Sequence, residues 1–271
     1  MQAALQHLVG QPPDHAGLTP PRSRWWLDGI RQAVDWLHGR WLHGRCLATV
    51  WQTLRRCHLS YKRGRRYVHS PDPLYAAKLA TIGYVRGRVE TEPGRVVLLY
   101  EDEMTYHRRP SLGYAYVPTG SDAPRANQGW GSETVRRIAA CLDVTTGYLH
   151  SQQRAHWTVA ALTCFFQQVA AAYPAATRLY VALDNWPVHF HPELRAALAA
   201  TTRMRLLRLP TYAPWTNPVE RVWRQLALDV VQLHRYTDDW PELCARVQAW
   251  LDAAQHPSVA LLRSTGLLCP S

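Results

Sequence analysis

Several absences narrow the field before any motif is read. No apolar run approaches the roughly 18 residues of a membrane-spanning helix; the densest, Val96-Val97-Leu98-Leu99-Tyr100, suits a buried strand. The opening Met1-Gln2-Ala3-Ala4 lacks the basic start and long apolar stretch of a secretory signal, so the chain reads as cytoplasmic. The six cysteines (46, 57, 141, 164, 244, 269) are scattered and form no Cys-x-x-Cys pair, which argues against a disulfide framework or a thiolate zinc site. No internal repeat or low-complexity tract is seen. What is present excludes wholesale disorder: of 271 residues, 47% are hydrophobic, with 12 Trp and 13 Tyr. That length suits one large domain, or a medium domain with a small partner.

The net charge of +11 is unevenly placed. Residues 1–95 carry 15 Lys and Arg against 6 Asp and Glu, whereas residues 96–271 carry 16 against 14. Such asymmetry suggests a nucleic-acid-binding module joined to a near-neutral body, because Lys and Arg displace counterions from phosphates. The plainer alternative is a basic surface that only aids solubility.

Residues 1–23, with Pro12-Pro13 and Pro20-Pro21, read as a flexible leader. Trp26, Ile30, Val34, Leu37 and Trp41 fall at helical spacing, and a second helical stretch runs from Cys46 to His58. Gly39 and Gly44 break the pair, as in a helix-turn-helix. Arg55 and Arg56 end the second helix, and Lys62, Arg63, Arg65 and Arg66 follow in an extended arm. That arm suits a phosphate backbone or a minor groove, or is a solvated loop between domains. Leu74 to Val89 reads as a linking helix. Beyond it, strands are expected at Val96–Tyr100, Tyr114–Val117, Val135–Asp143, Tyr148–Gln152, Arg178–Leu183 and Arg205–Leu209. Helices are expected at His156–Tyr173, Glu193–Ala200, Pro218–Leu233 and Trp240–Ala254. This is an α/β layout, hairpin strands first and crossover helices later.

Asp102 and Asp184 each follow an apolar strand, where ligands collect in α/β sheets, and Glu220 opens a helix. Three carboxylates in one crevice repel one another unless cations neutralise them. Oxygen-only ligands favour Mg²⁺ or Mn²⁺, and two such ions ~3.5–4 Å apart suit phosphodiester cleavage and transfer. Each acid also has a structural explanation: a strand end for Asp102, a turn for Asp184-Asn185, and a capping box with Asn217 as N-cap and Glu220 at N3. Glu103, beside Asp102, would point to the opposite face of a strand. His189 either orients a phosphate or nucleophile or is an ordinary loop histidine. Trp130 and Trp215 either stack on bases or pack in the core.

Three strings carry a resemblance: Tyr100-Glu101-Asp102-Glu103; Leu183-Asp184-Asn185-Trp186-Pro187-Val188-His189; and Leu209-Pro210-Thr211-Tyr212-Ala213-Pro214-Trp215-Thr216-Asn217-Pro218-Val219-Glu220-Arg221-Val222-Trp223. They resemble the signature blocks of bacterial insertion-sequence transposases related to the mariner superfamily. The resemblance implies a DDE catalytic domain with a ribonuclease-H-like fold, a mixed sheet flanked by helices, over residues 95–271. It would be preceded by a linker helix (71–94), a small helix-turn-helix module with a basic arm (24–70) and the leader (1–23). Asp102, Asp184 and Glu220 match the family's catalytic metal ligands, with 35 residues between the last two. Glu103, Asn185, His189 and Asn217 would support them. The implied cofactor is a pair of Mg²⁺ (or Mn²⁺) ions. The implied partners are double-stranded DNA, as terminal inverted repeats and target, and a second copy of the chain, because two ends must be joined. No membrane is involved, and a nucleoid-associated place is expected.

Departures from the family pattern keep a second reading open. Relatives commonly carry two DNA-binding modules, and this chain has room for about one. Ala227 stands where relatives often keep a basic residue, and Trp215-Thr216 replaces a commoner acidic-Leu pair. A truncated or repurposed copy would bind DNA without catalysis; a metal-dependent nuclease with unrelated targets is a third reading.

Overall fold

A computed structural model describes residues 2–16, 18, 22–38, 46–62, 69–129, 133–200 and 203–268, in two compact units, Met1–Tyr67 and Val68–Ser271. The first unit is helical: α1 (Gln2–Gly10), α2 (Leu27–His38) and α3 (Leu47–Arg56). Leu5 and Leu8 of α1 are buried with Ile30, Ala33 and Val34 of α2 and Val50 and Leu54 of α3. The expected leader at 1–23 therefore contributes a helix to this core. Its apolar residues fall at helical spacing before the first proline pair. Arg55, Arg56 and Lys62 are exposed, and the Arg55 guanidinium lies 5.0 Å over the Trp51 ring. The Gly39/Gly44 break and Arg63, Arg65 and Arg66 lie outside the described residues.

The second unit opens with α4 (Tyr75–Thr91) and continues through β1 (Val96–His107), β2 (Val135–Asp143), β3 (Leu149–Arg154), α5 (Val159–Ala171), β4 (Arg178–Leu183), α6 (Pro192–Ala200), β5 (Met204–Arg208), α7 (Val219–Leu226), α8 (Trp240–Ala254) and α9 (Val259–Thr265). Its five strands form a mixed sheet in the order β3-β2-β1-β4-β5, antiparallel across β3, β2 and β1 and parallel across β1, β4 and β5. Strand alternation splits the core in two. Val96, Leu98 and Tyr100 face α4, α7 and α8, while Val97 and Leu99 face α5 and α6. The linking helix expected at 71–94 is thus part of this body: Ile82, Val85 and Val89 of α4 pack in the core with β1.

Three further expectations are corrected. Tyr114–Val117 forms no strand. Tyr114 and Tyr116 are fully exposed, and an alternating pattern without a partner strand has nothing to pair with. β1 does not stop at Tyr100: its antiparallel partner β2 carries it on to His107, so Asp102 lies inside the strand. The helix expected over Pro218–Leu233 ends as α7 at Leu226 and passes into a π-helical turn, Ala227–Val231. The β2–β3 turn was legible. Buried Asp143 accepts from the Thr145 and Thr146 N–H groups through Oδ1 and from the Tyr173 hydroxyl through Oδ2. Gly147 has φ +70°, and a Cβ there would sit 2.3 Å from the Ser258 carbonyl, so only glycine fits.

Candidate active site

The parallel pairing of β1 with β4 ends at Tyr100 and Ala182. Two residues further along β1 is Asp102, and two further along β4 is Asp184. Glu220 enters from the first turn of α7. All three carboxylates line one cleft of about 360 Å³ at the carboxyl ends of the parallel strands. None of the described residues lining it is Lys, Arg or His.

That imbalance sets the electrostatics. Burial, then the charges of Glu220, Glu103 and Asp184, push the Asp102 carboxyl up to about 8, against a 2.9 Å hydrogen bond donated by Trp223 Nε1. Burial and the charge of Asp184 raise Glu220 as well. Burial also disfavours charge on Asp184, but the His189 ring, its Nδ1 3.2 Å away, and the hydrogen bond from the Trp186 N–H win and hold its carboxyl below the ordinary range. A cluster of carboxylates in which Asp102 and Glu220 are raised by their neighbours, and whose described cleft lining includes no Lys, Arg or His, is a donor set that a hard divalent ion fits.

The supporting residues fall into place differently from expectation. The capping box does not close, because the Asn217 N–H donates to the Pro214 carbonyl. Asn217 instead bridges two elements. Its Oδ1 accepts from the Val219 N–H at the start of α7, and its Nδ2 donates to the Glu101 carbonyl on β1, 2.9 Å away. The glutamate is thereby left to face the cleft. Asn185 Nδ2 donates to the Leu209 carbonyl and to Thr211 Oγ1, tying the end of β4 to the cleft wall. Trp215 is half-exposed, its Nε1 donating to the Tyr75 hydroxyl, so it is not a core residue. Trp130 lies outside the described residues.

His189 does not reach the cleft. It is fully buried behind the cleft, on the face opposite Asp102. Its Nε2 lies 2.9 Å from Glu103 Oε1 and 3.3 Å from Glu101 Oε2, and its Nδ1 is 3.2 Å from Asp184 Oδ1. Burial opposes charge on this ring, but Glu101 and the bonds to Asp184 and Glu103 outweigh it and raise its pKa. Glu101 is also fully buried. Neither of its carboxylate oxygens makes a hydrogen bond, and burial, then the charge of Glu103, raises its pKa well above the ordinary range. The ring pairs with Glu103 Oε1 through Nε2, while the unbonded, buried Glu101 carboxyl favours its protonated form.

Sequence reasoning missed Glu101, Trp223 and Asp72. Strand alternation from Glu103 finds the first, and the i, i+3 relation to Glu220 on α7 finds the second. Asp72 gives no such sign. Its Oδ2 accepts from Lys78 Nζ (2.7 Å) and from the Thr211 N–H (2.9 Å) far along the chain. The Lys78 hydrogen bond, then the backbone donors, hold its carboxyl far below the usual range.

Such a fold, with an acidic cleft where its parallel strands end, defines a ribonuclease-H-like endonuclease, and the family model for DDE superfamily endonucleases matches residues 97–244. The chain belongs to that family. It is 23% identical, over 248 residues, to the insertion element IS630 uncharacterized 39 kDa protein of Shigella sonnei, covering 92% of this chain and 69% of that one. Its fold is similar to the Mos1 transposase paired-end complex with left transposon end (TM-score 0.65, 16% identity, 98% of this chain and 74% of that one). It is equally similar to the mariner Mos1 paired end complex with Mg (TM-score 0.65, 16% identity, again 98% and 74%). The resemblance read in the signature strings thus holds. No helix among the described residues is long and apolar enough to cross a membrane.

Proposed function

We propose that this chain is an insertion-sequence transposase that cleaves DNA at terminal inverted repeats and transfers the freed strand to a target. The observation that carries the reading is the convergence of Asp102, Asp184 and Glu220, from β1, the end of β4 and the start of α7, on one cleft with no Lys, Arg or His among its described lining. These three would hold two Mg²⁺ or Mn²⁺ ions, which supply charge neutralisation for the attacking and leaving oxygens. Trp223 steadies Asp102 through Oδ2, leaving Oδ1 to the cleft. His189 steadies Asp184 from behind. In hydrolysis a water oxygen bonds to phosphorus as the P–O3′ bond breaks, leaving a 3′-hydroxyl and a 5′-phosphate. In transfer that 3′-hydroxyl attacks a target phosphodiester, and the target's own 3′-oxygen leaves.

End recognition belongs in this reading to residues 24–70. There α2 and α3 form the helix-turn-helix, and exposed Arg55, Arg56 and Lys62, with Arg63, Arg65 and Arg66, bind phosphates. The active assembly is a homodimer, since two ends must be joined. The test uses duplexes copied from paired inverted repeats in the DNA flanking the coding sequence. Wild-type protein is expected to nick them with Mg²⁺, and Asp184→Asn is expected to bind without nicking. Equal nicking by both removes Asp184 from the chemistry. Binding without nicking by the wild type, in Mg²⁺ and Mn²⁺ alike, overturns the enzymatic reading and leaves a DNA-binding copy.

A further inference from the structure

The cleft has lining residues that the metal chemistry does not use. The same cleft that the three carboxylates line is also lined by Trp186, Pro210, Tyr212, Ala213 and Pro214. Tyr212 is 74% exposed and lines the cleft that holds Asp102, Asp184 and Glu220. Its φ is +53°, a left-handed conformation that a side chain with a Cβ rarely adopts. Such strain persists only where the surroundings over-determine it, and here they do. All three polar atoms of the preceding Thr211 are fixed by other segments. Its N–H donates to Asp72 Oδ2, its carbonyl accepts from Ser70 Oγ at 2.5 Å, and its Oγ1 accepts from Asn185 Nδ2. An unfavourable backbone is thus clamped in place, and the clamp serves to present an aromatic ring to solvent above the cleft.

We propose that Tyr212 is a nucleobase-stacking residue, taking the base next to the scissile phosphate while the phosphate sits over the carboxylates. This rests on the transposase reading and deepens it. A nucleotide is polar and anionic at one end and flat and apolar at the other. The cleft offers both oxygen ligands for the cations that accompany a phosphate and an aromatic, proline-stiffened lining. Stacking is indifferent to base identity, so this contact holds any strand presented to the metal ions, whether element end or target.

The experiment places 2-aminopurine beside the scissile phosphate of the same inverted-repeat duplex. Fluorescence of the bound duplex is read with Ca²⁺ in place of Mg²⁺, and cleavage is read separately with Mg²⁺. Tyr212→Phe keeps the ring and is expected to quench and cleave as the wild type does. Tyr212→Gly removes the ring at a φ that glycine prefers, so the protein is expected to keep or raise its Tm. It should lose the quenching and raise KM for DNA by roughly tenfold, the size of one stacked base. Wild-type quenching and KM in Tyr212→Gly overturn the proposal, as does a Tyr212→Phe variant as impaired as the glycine variant, which would point to the hydroxyl. Quenching that depends on Tyr212 in a protein whose nicking ignores Asp184 sinks the catalytic reading and spares the stacking; no binding by any variant overturns both.

Discussion

Two acidic groups sit one residue apart on β1 and are handled in opposite ways. On the front face Asp102 meets Asp184 and Glu220 in an open cleft with no positive side chain among its described lining, and its pKa is pushed up to about 8. On the back face Glu101 and Glu103 meet His189, fully buried, and the imidazole supplies the cation from within. A period of two residues in the strand creates the pair of sites, and His189, buried against Glu101 and Glu103, reaches the front site only through Asp184. Where the protein provides its own positive charge, the cluster is structural. Where no Lys, Arg or His is among the described cleft lining, the cluster is an oxygen-rich donor set that suits a hard divalent ion.

Breaking the front site should give the largest effect. Asp102→Asn keeps an oxygen acceptor for Trp223 Nε1 but removes a metal ligand. Nicking of the inverted-repeat duplex in Mg²⁺ is expected to fall by about three orders of magnitude, the several kcal/mol that metal ligation of reacting oxygens supplies. In EDTA the same variant should be more stable than the wild type, because a crowded carboxylate has gone. Each ~1 kcal/mol gained should raise Tm by about 2–4 °C in a chain of this size. A variant that cleaves normally, or that loses Tm in EDTA, would show that Asp102 is there for structure.

The back site should respond with the opposite sign. His189→Leu is expected to cost about 3–5 kcal/mol in urea unfolding, because it strands buried carboxylates without their cation. Glu101→Gln should cost far less than Glu103→Gln, since Glu101 keeps its proton and an amide mimics it. Equal losses in the two glutamine variants would mean that the proton resides elsewhere.

The two sites also predict how metal and pH combine. Asp102 is ordinarily ionised above about pH 4 in the unfolded chain but near pH 8 in the folded one, so between these values the folded state holds the extra proton. Metal-free stability therefore falls as pH rises through that window. Mg²⁺ must displace that proton, so it should raise Tm more at about pH 8.5 than at about pH 6, and binding should release protons to the buffer at the lower pH. A Mg²⁺-induced Tm shift that is flat with pH would remove Asp102 from the ion's coordination.

Much of this was legible because local patterns governed it. The strands Val135–Asp143 and Arg178–Leu183 and the helix Trp240–Ala254 have the expected bounds, since each is a strongly apolar or amphipathic run between turn residues. Asp102, Asp184 and Glu220 were nameable because they stand in the three signature strings; strand ends and a helix start alone left each with a structural explanation. What was hidden is long-range. No local signal says that β2 would extend β1 past Tyr100, or that Tyr114–Val117 would find no partner strand. Sequence proximity to Asp184 left His189 open between orienting a phosphate or nucleophile and being an ordinary loop histidine. The short 3₁₀ turn Pro187–Phe190 instead turns its ring inward, where β1 alternation had already set two glutamates.

The smallest expected effect concerns the wall between cleft and solvent. Asp72 accepts from Lys78 and from the Thr211 N–H, and Lys78 also donates to the Leu209 carbonyl at 3.3 Å. These bonds tie residues of the cleft wall to a pair that does not itself line the cleft. Asp72→Asn retains an acceptor for Thr211 while weakening the pair with Lys78. Lys78→Met removes the pair from the other end. Each should lower kcat by roughly 2–5-fold, the net worth of a single hydrogen bond, with KM for DNA nearly unchanged. Because both act through the same contact, the double variant should lose little more than either alone. Losses that add, or a rise in KM without a change in kcat, would make this pair a DNA contact rather than the brace of the front site.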